Sequence, residues 1–132
     1  AVNNIILMGD QMQLRQPIQG SHPDPAGQSA LEFMLKGQSV IPSDQGVFLE
    51  RTYRMHPTVC KPLSEIVYEG RLQADKQTTK QSITLAAPKL VTQPNGILSI
   101  PVRHQYNIQS SVEEVLKIQQ IVNELKTGSF TN

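Results

Sequence analysis

The sequence predicts an α/β chain, and three observations carry that prediction. A short apolar run, Ile5-Ile6-Leu7-Met8, is stopped by Gly9-Asp10. Two segments, over 57–68 and 111–125, repeat their apolar residues with a helical period behind recognisable start signals. A second short extended pattern, Ile97 to Val102, separates them.

Taken in order, Val2 to Met8 reads as a short buried strand, apolar except for Asn3 and Asn4. Gln11 to Gly27 is rich in proline and glycine and reads as a long polar loop, a kind of segment that is usually functional or disordered. From Gln28 to Lys36 the positions Ala30, Leu31, Phe33, Met34 and Leu35 predict a helix. Ser29 and Glu32 offer a capping box, and Gly37 ends the helix. Gln38 to Gly46, with Pro42, Ser43, Asp44 and Gly46, has the composition of a turn and linker and is the expected boundary.

Val47-Phe48-Leu49 is a short extended segment, followed by the polar cluster Glu50 to His56. Pro57 suits a first helical residue, Val59, Leu63, Ile66 and Val67 carry an apolar stripe, and Gly70 closes the helix. Pro62 predicts an irregularity inside it. Gln73 to Asn95 lacks periodicity and is expected to be loop and the most mobile part. Ile97 to Val102 alternates and reads as a strand that Pro101 ends or places at an edge. Ser110 or Ser111 caps a last helix, with Glu113 and Glu114 favourable to its dipole. Val112, Val115, Leu116, Ile118, Ile121, Val122 and Leu125 give it a wide apolar face, which predicts a helix covering a core.

Composition narrows the function classes. The 132 residues carry a net charge of +1, with 38% apolar and 17% charged residues, so charge alone does not argue for nucleic acid. No apolar run approaches the roughly 20 residues of a membrane span. Cys60 is the only cysteine, which excludes an intrachain disulfide and a cysteine zinc cluster and points to a reducing compartment, the cytoplasm. No Gly-x-x-x-x-Gly-Lys-Ser/Thr sequence occurs, so the chain is no self-sufficient P-loop domain. It lacks a Met start and a basic leader and reads as an excerpt of a longer protein.

Two segments carry chemistry. In Gly9-Asp10-Gln11-Met12-Gln13-Leu14 a buried strand would deliver Gln13 to the carboxyl end of a sheet, where ligands bind in open α/β folds. Its amide both donates and accepts, which suits a phosphate oxygen or an attacking water. The same residues also fit a reading in which Asp10 caps a turn and Gln13 is a solvated loop residue. In Glu50-Arg51-Thr52-Tyr53-Arg54-Met55-His56-Pro57 a tyrosine can stack on a base while a guanidinium forks onto phosphate. A half-buried ring beside a surface ion pair is the alternative. His56 is expected to order its loop, Cys60 to pack within a helix, and His22 and His104 have no metal-ligand partners at useful spacing, so no metal site is expected.

Together, Gly9-Asp10-x-x-Gln13-Leu14 and Tyr53-Arg54-Met55-His56-Pro57 resemble the third and fourth motifs of superfamily 1 helicases, DNA or RNA, in order and spacing. Met55-His56-Pro57 and Tyr68-x-Gly70-x-Leu72 look like the branch with the nonsense-decay and replication-nuclease helicases. Gln19-Gly20-Ser21-His22-Pro23, Ser29-Ala30-Leu31-Glu32 and Gln109-Ser110-Ser111-x-Glu113-Glu114 resemble bacterial helicases fused to a RecB-family nuclease. The likeness covers residues 4–126.

The resemblance implies a partial P-loop NTPase (RecA-like) fold. Residues 1–37 would end the first motor domain, 38–46 would link, and 47–132 would begin the second. It further implies that Gln13 senses the γ-phosphate, that Arg54 reaches it from the second domain, that Tyr53 stacks on adenine, and that Gly9 and Asp10 belong to the nucleotide site. ATP and magnesium would be bound by the full-length protein, its partner would be single-stranded DNA or RNA, and the excerpt alone would be inactive. One departure stands out: Arg15-Gln16-Pro17 follows the Gln-Leu pair where many relatives place proline at once or one residue later. The alternative function is a non-catalytic interaction module that retains helicase-like motifs.

Overall fold

The computed structural model describes residues 3–14, 17, 19–104 and 106–132. Its centre is a β-α-β unit. Strand β1 (Arg51–Thr52) runs into helix α2 (Pro57–Val67), which returns the chain to strand β2 (Gln73–Ala74), parallel to β1. A short helix α1 (Ala30–Leu35) precedes this unit. After it come a 3-10 helix (Lys76–Lys80), strand β3 (Ser82–Thr84), helix α3 (Val112–Leu125) and strand β4 (Ser129–Thr131), which pairs antiparallel with β3.

In the β-α-β unit the Gln73 N–H donates to the Glu50 carbonyl at 2.6 Å and the Asp75 N–H to the Thr52 carbonyl at 2.9 Å. Pro57 occupies the first helical position of α2, where its missing N–H costs nothing. The His56 ring accepts from the Thr58 N–H at 3.2 Å, so the histidine that was expected to order its loop caps the helix. Pro62 lies inside α2 without ending it. At the far end Glu69 and Gly70 take positive φ of 55° and 75°, and the Gly70 N–H reaches back to the Ser64 carbonyl at 2.8 Å. Glycine adopts that conformation freely, which explains why the helix stops here.

Burial concentrates on this unit: Cys60, Ser64 and Tyr68 line the inner side of α2, with Asp75 and Thr78 just beyond β2. The expected stripe is therefore corrected, since Ile66 is 84% exposed and Leu63 is also exposed. The inner side is set by small groups that admit the parallel strands; the Cys60 thiol, 3.7 Å from the Leu72 carbonyl, packs as expected.

Several expectations fail for one reason, the want of a ladder partner. Ile5 to Met8 forms no strand and is largely exposed, while Val2 lies outside the described residues. Strand conformation needs an adjacent edge to take its N–H and C=O groups, and none faces this segment among the described residues. Ile97 to Val102 likewise forms no strand. Conversely, Gln73 to Asn95, read as loop, holds β2, the 3-10 helix and β3, elements too short to show a period.

Helix α1 agrees with its signals. Ser29 Oγ accepts from the Glu32 N–H and the Glu32 carboxylate accepts from the Ser29 N–H, both at 3.1 Å. Helix α3 starts at Ser111, whose hydroxyl accepts from the Glu114 N–H at 3.2 Å. No α3 residue is buried, so it does not cover a core here. Its C-terminal end is tied instead. Glu124 accepts from the Lys89, Leu90 and Val91 N–H groups at 2.8 to 3.1 Å, and β4 returns to β3. Gly128 allows that return, because a Cβ there would lie 3.0 Å from the Thr84 carbonyl oxygen. Among the described residues no helix is long and apolar enough to cross a membrane.

Candidate functional site

The Gly9-Asp10 loop is organised around one carboxylate. Residues 11–13 turn, and the Met12 N–H donates to Asp10 Oδ1 at 3.0 Å. Asp10 Oδ2 takes two donors, the Gln13 amide at 2.8 Å and the Tyr68 hydroxyl at 2.6 Å. The neighbouring Gln11 amide donates to the Gln38 and Ser39 carbonyls at 2.9 and 2.8 Å, which pins the loop to the chain beyond α1. A Cβ on Gly9 would sit 3.4 Å from Leu31 Cδ2, so the loop passes close to α1. Asp10 thus does cap a turn, and it also joins that turn to α2.

Tyr68 is held from behind. Its ring centroid lies 5.9 Å from that of Phe48, the Arg71 guanidinium sits 5.1 Å above the Phe48 ring, and Arg71 pairs with Glu50 at 2.9 Å. Desolvation, then the hydrogen bond to Asp10, push the Tyr68 hydroxyl up to about 12. Burial pushes the Asp10 carboxyl upward, but the Tyr68, Gln13 and Met12 donors outweigh it and hold the group below its ordinary value. Both directions favour a phenol donating to a carboxylate.

The Tyr53-Arg54 pair precedes the opposite end of α2. The Arg54 N–H donates to Thr52 Oγ1 at 3.3 Å, and its guanidinium has no partner among the described residues. Tyr53 is 69% exposed and faces an open cleft shared with Lys76, Gln77, Lys80, Gln81 and Asn132. The ring is therefore not half-buried, and among the described residues the arginine is in no ion pair. Chemically, an exposed aromatic face can stack on a flat ring and a guanidinium can fork onto anionic oxygens.

Gln13 and Arg54 are not in contact. One is tied through Asp10 to Tyr68 at the C-terminal end of α2 and the other precedes its N-terminal end, with a helix of 11 residues, about 16 Å long, between those ends. Tyr68 is the residue whose role sequence reasoning missed. The signal was its place in Tyr68-x-Gly70-x-Leu72, which marks a helix end but does not name a partner 58 residues away.

A family model described as an AAA domain, a domain found in superfamily 1 helicases, matches residues 26–130. Tyr53, Arg54 and Tyr68 fall inside the match, and Gly9, Asp10 and Gln13 precede it. No curated protein and no solved structure matches the chain.

Proposed function

The chain belongs to this AAA-domain family, a helicase-like family, and from that premise we propose that it is the joining segment of an ATP-dependent superfamily 1 helicase motor. Residues 1–37 close the first RecA-like domain, 38–46 link, and 47–132 open the second. The full-length protein couples ATP hydrolysis to movement along single-stranded DNA or RNA, and the motif resemblance adds a fused nuclease domain to it.

The observation that supports this most is the state of Tyr53 and Arg54. A guanidinium without a partner among the described residues and an exposed ring adjoin each other at a strand-to-helix junction inside the family match. Phosphoryl transfer is mainly positioning and charge stabilisation, so an arginine with its donors free is the group that a γ-phosphate calls for. Tyr53 supplies a face for adenine, and the Gln13 amide, anchored on Asp10, orients a water or contacts the same phosphate. These residues fit the adenine and γ-phosphate ends of ATP. Nothing in the 132 residues matches a Walker A loop, so the groups for the β-phosphate and magnesium come from other parts of the protein.

Because Gln13 and Arg54 lie at opposite ends of α2, a nucleotide engaging both would draw the two parts together, and its hydrolysis would release them. Steady-state ATPase with single-stranded nucleic acid tests the reading. Arg54→Ala in the full-length protein is expected to cut turnover by about 10³-fold, and near-normal turnover would refute the role. A clean preparation of residues 1–132 is expected to show no ATPase.

A further inference from the structure

Tyr68 has no part in the function proposed above, yet it makes the shortest side-chain hydrogen bond at the site, 2.6 Å to Asp10 Oδ2. That oxygen also accepts the Gln13 amide at 2.8 Å. An ionised carboxylate only accepts, so the direction of each donor fixes where the carboxylate turns. The phenol approaches from a rigid base: it is 9% exposed, sits at the C-cap of α2, and rests on Phe48, which Arg71 covers. Gln13 has no such base: it is exposed, and the side-chain ties of its turn among the described residues are those of Asp10 and Gln11.

An amide held by its nitrogen presents its carbonyl oxygen, Oε1, in a set direction. That oxygen is the acceptor that would receive a proton of an attacking water. We propose that Tyr68 is a positioning residue for Gln13: through the shared Asp10 oxygen, helix α2 sets the direction in which the Gln13 carbonyl faces. The inference rests on reading Gln13 as the glutamine of the γ-phosphate. It makes α2 the part that links the two phosphate-facing groups, since Arg54 leads into one end of the helix and Tyr68 leaves the other.

Tyr68→Phe keeps the ring on Phe48 and removes only the hydroxyl, and Asp10→Asn provides a second variant should the first fold poorly. Two readouts are needed. In the 132-residue chain, the Gln13 side-chain amide is followed by ¹⁵N-resolved NMR. Its proton pair is expected to shift and exchange faster in Tyr68→Phe and in Asp10→Asn, and to be unchanged in Tyr53→Phe. An amide signal that ignores both the hydroxyl and the carboxylate overturns the proposal.

In the full-length protein, Tyr68→Phe is expected to lower kcat by about 10- to 100-fold, the scale of a misplaced reacting group, with KM unchanged. It is expected to add nothing in a Gln13→Ala background. Losses that add in full overturn the positioning role. If the amide responds while neither Gln13→Ala nor Arg54→Ala alters turnover, the link through Asp10 is upheld and the γ-phosphate reading of Gln13 is what fails.

Discussion

Helices α2 and α3 differ in whether they bury a face at all. The shorter, α2, places Cys60 at 2% and Ser64 at 3% exposure and hands over to a buried Tyr68. The longer, α3, leaves Val112, Val115, Leu116, Ile118 and Val122 between 43% and 70% exposed. The cause lies in what stands beside each helix. A crossover between two strands that pair with each other forces α2 back onto them, whereas the contacts of α3 lie at its two ends, His104 and Asn107 on Glu114 and Glu113 at the first turn and β4 and the Glu124 contacts at the last. In α2 even the face that apolar periodicity marks stays unburied, so a neighbour decides both which face of a helix is buried and whether burial happens.

That contrast can be broken by substitution. The largest effect is expected from Cys60→Leu, where extra methylene groups would press against the Leu72 backbone. A loss of about 1 to 3 kcal/mol, read from the shift in urea midpoint, is the usual scale of overpacking. A neutral result would show that the inner side of α2 is as loose as α3.

The next effect depends on pH. The Asp10 carboxyl titrates below its ordinary 3.8 in the fold, so its contribution is complete above that value and drains away as pH falls through the folded one. Acid unfolding should therefore show less pH dependence in Asp10→Asn than in the parent, with the two curves converging in strong acid. Glu124 carries the same sign: partial burial pushes its carboxyl upward, and the backbone donors at Val91, Lys89 and Leu90 bring it below the ordinary value. Glu124→Gln should blunt the acid response of the β3–β4 side alone, measured by amide exchange at 89–91. The smallest effect belongs to Val115→Gln on the open face of α3, expected within about 0.5 kcal/mol of the parent. A larger loss would mean that α3 is packed in solution.

Local signals were legible in the sequence where they act through neighbours in the chain. The Ser29–Glu32 box, Pro57 at the head of α2, the Ser111 cap and the Gly70 stop each work within a few residues. What pairs at a distance was not. Ile5 to Met8 is apolar enough for a strand, but a ladder needs another edge, and two-residue strands such as Gln73–Ala74 leave no periodic trace. The site divides in the same way. Asp10, Gln13, Tyr53 and Arg54 stand out by motif, while the bond from Tyr68 to Asp10 spans 58 residues and follows only from the way α2 ends.

The Glu124 carboxylate has a kinetic corollary. Three consecutive amide protons, those of Lys89, Leu90 and Val91, share one acceptor group on the last full turn of α3. A stretch with no strand or helix of its own would ordinarily lose its protons to solvent one by one. Here one carboxylate holds all three, so isotope exchange at 89–91 is expected to proceed as a set, at a rate timed by release of the Glu124 side chain.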